Sequence, residues 1–258
     1  IPLVVPEINP KDIRLHKGII ANPNCSTIQM VVALNPLHLI NPIKKIIVAT
    51  YQGVSGAGLE NIQELCKEIY QWVEDTKKIP GFGTRDQKAP ELNPQNFYSK
   101  YQATAFPYQI AFNLIPQIGD FTENGYTKEE MKMQNETRKI MHAQEIDVSA
   151  TTIRVPVAYS HSESVHIELS APMTAAQARE ILVKAPGVEV LDEPAEKKYP
   201  MPLMASGKDT TFVGRIREDL VFKPGLAMWI VSDNIRKGAA TNAIQIAEKI
   251  LEMGLLRK

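Results

Sequence analysis

Cys25 stands at the joint of the run GIIANPNCSTIQ, residues 18–29. Ahead of it lie three short apolar positions, 19–21, and a polar turn containing Pro23. After it, Ile28, Val31, Val32 and Leu34 recur as one apolar helix face. Strand, turn, thiol and helix together present a nucleophile at the mouth of a sheet. Backbone N–H groups at a helix start favour negative charge, so a thiolate is expected there. Acyl transfer through a thiol also needs a base, oxyanion donors and a grip on the substrate. His161 is the candidate base, with an unperturbed pKa of about 6.5. Gln52, closing an apolar β-branched run, can orient a reacting group, and Arg154 offers a planar fork for a carboxylate or phosphate. Each of these also has an ordinary reading: a buried cysteine, a solvated loop histidine, a salt-bridged arginine. The i,i+3 pair Glu129 and Lys132 reads equally as a solvated helix face worth about 0.2–0.5 kcal/mol.

The elements that must position these groups are legible in outline. Residues 45–51 form a β-branched strand running into the glycine-rich turn 53–58. A backbone nest there can hold phosphate, although its G-x-x-G-x-G spacing is not the dinucleotide fingerprint and a plain strand-to-helix turn is an equal reading. Leu59, Ile62, Leu65, Cys66, Ile69, Trp72 and Val73 then recur at helical spacing, which places Cys66 in the core. The helix after Cys25 is expected to end in the region of Pro36 and Pro42. Residues 75–108, rich in Pro and Gly, form a long excursion, and residues 109–119 return to the core. Capping boxes at 127–130 and 174–177 open helices to about 142 and 184. Strands are expected at 148–157, 164–169, 188–191, 211–216 and 226–231, and a terminal helix from Asn234 to about Leu255. This mixture without strict alternation points to an α+β fold with a mixed, largely antiparallel sheet and flanking helices.

Composition narrows the function. Lys+Arg and Asp+Glu balance at 29 each, so no positive surplus argues for nucleic acid or an anionic membrane. No apolar run reaches a membrane-spanning length of about 18 residues, and no signal peptide is visible. Two cysteines among 258 residues make no disulfide framework, which fits a reducing cytoplasm. The five histidines are scattered, and His161 and His166 fall on opposite faces of any strand, so no metal site is expected.

Six blocks in order, ANPNCST (21–27), YQGVSGAG (51–58), NGYTKEEMK (124–132), RVPV (154–157), HSES (161–164) and DNIRKGAA (233–240), closely resemble the bacterial-type aspartate-β-semialdehyde dehydrogenases. The resemblance implies a glyceraldehyde-phosphate-dehydrogenase-like catalytic domain and reduction of β-aspartyl phosphate by NADPH through a cysteine thioester, in lysine, methionine and threonine synthesis. It implies Cys25 as nucleophile, His161 as the acid–base group and Gln52 orienting the acyl centre. Arg154 would hold the substrate α-carboxylate, Glu129 its amino end and Lys132 its phosphate, with Asn24 beside the thiol. Ser55, Gly56, Gly58 and Asn234 would lie near the NADP. Residues 1–24 would be the end of a truncated dinucleotide-binding domain of Rossmann type, 25–232 the catalytic and dimerisation domain, and 233–258 a helix returning to the nucleotide domain. The family's opening Gly-rich segment and its phosphate-binding arginine loop have no counterpart in the sequence, so weak NADP binding by the chain alone is expected. Where relatives commonly carry a basic residue and Gly before the histidine, this chain has Ala158-Tyr-Ser160, which is expected to tune the base. A homodimer or tetramer is implied. The alternatives are another acyl-phosphate dehydrogenase, of the N-acetylglutamyl phosphate or glyceraldehyde phosphate type, and a non-catalytic dimeric scaffold or truncated fragment.

Overall fold

The β-branched runs become the strands of one six-stranded sheet in the computed structural model, which describes residues 1–77 and 102–255. In chain order the strands are β1 Ile43–Gln52, β2 Asp147–Arg154, β3 His161–Leu169, β4 Val188–Val190, β5 Thr211–Glu218 and β6 Gly225–Ser232. Their spatial order is β2-β1-β3-β6-β5-β4. The pairs β1–β3, β3–β6 and β5–β6 are antiparallel, whereas β1–β2 and β4–β5 are parallel. The mixed, largely antiparallel α+β sheet expected from the sequence is therefore present.

Register does more than build the core. Gln52 ends β1 opposite both Arg154, the last residue of β2, and His161, the first of β3, and His161 lies opposite Ser232 at the end of β6. Four strand ends thus bring three of the candidate residues into one row. His161 begins β3 and is fully buried, whereas the sequence placed the start of that strand at residue 164. His166 points to the other face, with its side chain 38% exposed.

One face of the sheet buries Ile46, Val48, Val148, Ala150, Val165, Ile167, Met228 and Ile230 against three helices. These are α1 Cys25–Ile40, α3 Lys128–Ile140 and α4 Ala175–Leu182. Removing this much apolar area from water, at about 25 cal/mol per Å², is the main favourable contribution to the fold. α1 is buried around most of its circumference, Ser26, Thr27, Gln29 and Asn35 included, so it is a central helix and not the one-faced helix the pattern implied. It ends within the Pro36–Pro42 region, as the sequence implied, with Pro36 inside its last turns. Leu34 and Leu37, both fully buried, carry the helix past the proline to Ile40. Thr127 and Thr174 cap α3 and α4 with both hydrogen bonds of a capping box, as the sequence implied.

The helix α2, Leu59–Thr76, corrects a second expectation. Of its apolar stripe, only Leu65 is buried; Leu59, Ile69 and Val73 are exposed, and so is Cys66, which is therefore not a core residue. Two carboxylates turn inward instead. Glu64 accepts the N–H groups of Thr104, Ala105 and Phe106, and Glu68 accepts those of Ile110 and Ala111. Loop N–H groups without a strand partner need acceptors, and two glutamates at i,i+4 supply them. Ile110, Ala111 and Ile115 do return to the core. Most of the 75–108 excursion lies outside the described residues.

After the short helix α5, Pro202–Ala205, and strands β5 and β6, the chain makes a π-helical turn, Arg236–Ala240, before α6, Thr241–Glu252. The single terminal helix expected from Asn234 is thus two segments. Val4 and Ile13 pack on Ile246, tying the first residues of the chain to α6.

Candidate active site

Asn24 caps α1 by accepting the Thr27 N–H at 3.1 Å, which places Cys25 as the first helical residue. The Asn24 amide also donates to Glu129 Oε1 at 2.7 Å. Glu129 comes from the first turn of α3. Gln52, almost fully buried, donates to the same oxygen at 3.4 Å and to Thr50 Oγ1 at 3.3 Å. One carboxylate therefore holds two amides, one beside the thiol and one from the sheet. Lys132, a turn further along α3, stays 3.9 Å from Glu129 with its side chain 57% exposed, so its ammonium is available to an anion from solvent. A residue the sequence reading missed, Glu136, accepts the Asn24 backbone N–H at 2.7 Å and so fixes the turn that carries Cys25. Its spacing from Glu129 and Lys132 along one face of α3 was the available signal.

Arg154 donates from Nη1 to the Gly53 carbonyl at 2.7 Å, and among the described residues its guanidinium makes no other hydrogen bond. Gly56 lies against it. A Cβ at Gly56 would come within 3.0 Å of Arg154 Nη1 and of His161 Nε2, so only glycine leaves the guanidinium and imidazole this close to one open point. A cavity of about 330 Å³ adjoins Arg154, lined also by Ala57, Asn61, Phe106, Gln117 and Gly119.

His161 has a definite tautomer. The Gly53 N–H donates to Nδ1 at 3.1 Å, so in the neutral ring Nε2 carries the proton, and Nε2 is buried without a partner. Burial, with the nearby Arg154 charge, pushes the imidazole down to about 3. At neutral pH the ring is thus uncharged, with Nδ1 engaged by Gly53 and the proton on Nε2. Burial also pushes the Cys25 thiol up to about 12, helped by the Glu129 and Glu163 charges and opposed by the Ser26 N–H and Arg154. The helix start does favour the thiolate through Ser26, as the sequence implied, while desolvation favours the thiol and outweighs it.

Ser55 and Asn234 meet as a pair, hydroxyl and amide 3.1 Å apart, and Asn234 Oδ1 also accepts the Ser160 N–H at 2.8 Å. Both side chains are buried in this clamp, while Gly58 stands exposed at the start of α2. Ser160 has φ +76°, a conformation natural to glycine, which accounts for the glycine common at this position in the family the sequence resembles. Gly238, from the π-helical turn, covers the thiol. A Cβ there would lie 2.9 Å from Cys25 Cβ. Gly238→Ala is therefore expected to displace Cys25 and lower kcat by about 100-fold, since displacements near 1 Å carry penalties of that size. Steady-state kinetics with a melting curve checks this: a normal kcat in a folded variant would contradict it.

A half-buried thiol at a helix start, a donor imidazole and an arginine fork at the strand ends of a mixed sheet fit a thiol-dependent acyl-transferring oxidoreductase of the semialdehyde dehydrogenase class. A family model for the semialdehyde dehydrogenase dimerisation domain matches residues 34–237. The aspartate-semialdehyde dehydrogenase of Aquifex aeolicus is 53% identical over 258 residues, covering 99% of this chain and 69% of the relative. That of Bacillus subtilis is 48% identical over 256 residues, with the same shares. The crystal structure of aspartate semialdehyde dehydrogenase II of Vibrio cholerae complexed with ASA, 44% identical, superposes with a TM-score of 0.85 over 97% of this chain and 68% of that one. The chain belongs to the aspartate-semialdehyde dehydrogenases, oxidoreductases of lysine, methionine and threonine synthesis.

Proposed function

We propose that Cys25 carries the acyl group in the reductive dephosphorylation of β-aspartyl phosphate. The observation that supports this most is the row of strand ends that brings Gln52, Arg154 and His161 together, with Gly56 lying against both Arg154 and His161. The substrate α-carboxylate pairs with the free edge of the Arg154 fork, and its ammonium sits on Glu129. That ammonium offsets one of the charges opposing the Cys25 thiolate, so substrate binding itself eases ionisation. Lys132 takes the phosphate. Sγ attacks the acyl carbon, the C–O bond to phosphate breaks, and the departing phosphate takes up the thiol proton, leaving a thioester. The His161 Nε2–H, and Gln52 on exchanging its long bond to Thr50, donate to the acyl oxygen as it gains charge.

A nicotinamide, when bound, supplies the hydride that reduces the thioester. The residues present fit it in part: Gly58 is open and Gly56 is bare of a side chain where it meets Arg154 and His161, whereas Ser55 and Asn234 are occupied by each other. Collapse of the reduced, oxyanionic adduct onto the His161 donor releases aspartate semialdehyde and returns the thiolate. NADP is the proposed dinucleotide. Packing of α6 on residues 4 and 13 supports residues 1–24 and 233–258 acting as one unit, with 25–232 as the catalytic domain.

Assembly into a dimer fits the uncovered face of the sheet, where Ile47, Tyr51 and Trp229 are partly exposed beside Met201 and Leu203. A self-complementary apolar patch of this kind suits a two-fold interface. Among the described residues, no helix is long and apolar enough to cross a membrane.

The test is phosphate-dependent oxidation with NADP or NAD. Aspartate semialdehyde is expected to be oxidised, while N-acetylglutamate semialdehyde and glyceraldehyde 3-phosphate are not. Equal rates on the three aldehydes would overturn the roles of Glu129 and Arg154.

A further inference from the structure

Glu163 is fully buried two residues beyond His161 on the same face of β3, and neither of its carboxyl oxygens has a hydrogen-bond partner. Gln29 stands above it. It lies one helical turn after Cys25, its amide nitrogen donates to the His161 carbonyl at 3.4 Å, and its own oxygen, Oε1, is also buried without a partner. Two acceptor-only groups cannot satisfy each other. A proton on Glu163 turns one of its oxygens into a donor for Gln29 Oε1, so that two of the three orphaned atoms satisfy each other.

We propose that Glu163 is held as a neutral carboxylic acid whose hydrogen bond to Gln29 positions the Cys25–His161 pair, and that loss of its proton opposes formation of the Cys25 thiolate. The inference rests on Cys25 being the nucleophile and makes Glu163 a positioning residue. The groups that face it are Cys25 and Gln29 from α1, His161 along β3, and Thr50 and Ile230 in register from β1 and β6. Among the described residues no lysine or arginine forms an ion pair with it. Burial holds the carboxyl well above the ordinary carboxylate range, and the Gln29 amide, near the carboxyl but outside hydrogen-bond geometry, works against that. A charged Glu163 would join Glu129 in opposing the thiolate, against the Ser26 N–H and Arg154. A neutral one removes the smaller of those two carboxylate contributions without placing a hydrophobe beneath two polar groups.

The test is the pH dependence of Cys25 alkylation by iodoacetamide, read on the Cys25 peptide by mass spectrometry so that exposed Cys66 does not interfere. In the wild type the rate is expected to climb by less than tenfold per pH unit as Glu163 loses its proton, because two adjacent anions do not form independently. In Glu163→Gln the climb returns to tenfold per unit and levels off at lower pH, leaving the variant about tenfold faster in alkaline solution for each unit by which the thiol shifts. Superimposable profiles, or a variant slower throughout, would overturn the proposal. Glu163→Ala, which keeps neither the shape nor the donor, is expected to lower turnover while Glu163→Gln restores it. Infrared spectra give a measurement independent of variant folding: the wild type at neutral pH is expected to show the carbonyl band of a protonated buried carboxyl, and its absence would overturn the claim. Turnover surviving in Cys25→Ser would remove the nucleophile reading, a failure distinct from either of these.

Discussion

Cys25→Ser is expected to abolish phosphate-dependent oxidation of aspartate semialdehyde, with a loss on the order of 10⁴-fold or more in kcat, the scale seen when a covalent nucleophile is removed. The hydroxyl is nearly the size of the thiol and stands at the same first position of α1, so the Asn24 cap and the cover of Gly238 should persist. What changes is acidity and leaving ability. The same burial and Glu129 charge that push the thiol up to about 12 would act on a hydroxyl that is far less acidic to begin with. A serine ester, if formed, would also be a poorer hydride acceptor than a thioester. Activity near wild type in a folded variant would refute the nucleophile.

The second large effect is expected at Arg154. Lysine keeps the charge but loses the planar fork, and with it simultaneous contact to Gly53 and to a substrate carboxylate. A charge-assisted hydrogen bond contributes about 1.5–3 kcal/mol, so Arg154→Lys is expected to lower kcat/KM by roughly 10–150-fold, mainly through KM. A smaller fall in kcat should accompany it, since Arg154 is one of two groups that favour the Cys25 thiolate. Unchanged kcat/KM would remove the carboxylate role. A fall confined to kcat would move Arg154 from substrate binding to thiol activation.

What the sequence made legible was local. The capping boxes at Thr127 and Thr174, the β-branched strands and the turn–thiol–helix around Cys25 are each specified by neighbours in the chain, and each is present, whereas the strand expected ahead of that turn is only a single bridge from Leu3 to Ala21. What it hid depends on partners far away. The α2 stripe looked like a core face because Leu, Ile, Trp and Val recur at the right spacing, but loop N–H groups some 40 residues on, needing the Glu64 and Glu68 carboxylates, decided which side turns inward. Cys66 went outward with that stripe. The end of α1 was legible as a region, Pro36 to Pro42, while its continuation through Pro36 to Ile40 rests on the burial of Leu34 and Leu37. In the site, residue types were readable and their protonation was not. His161 was legible as imidazole, but its proton on Nε2 depends on the Gly53 N–H, 108 residues away. Glu136 and Glu163 escaped altogether, because a carboxylate on a helix or strand looks solvated until a buried N–H or an orphaned amide is found facing it.

The central claim is that the acyl group passes through Cys25. Incubating the enzyme with β-aspartyl phosphate in the absence of nicotinamide, quenching in acid and mapping peptides by mass spectrometry tests it directly. The account predicts one aspartyl group on the peptide containing Cys25, released by hydroxylamine and absent in Cys25→Ser. An enzyme that turns over normally yet carries its adduct on another residue, or forms none, would contradict it.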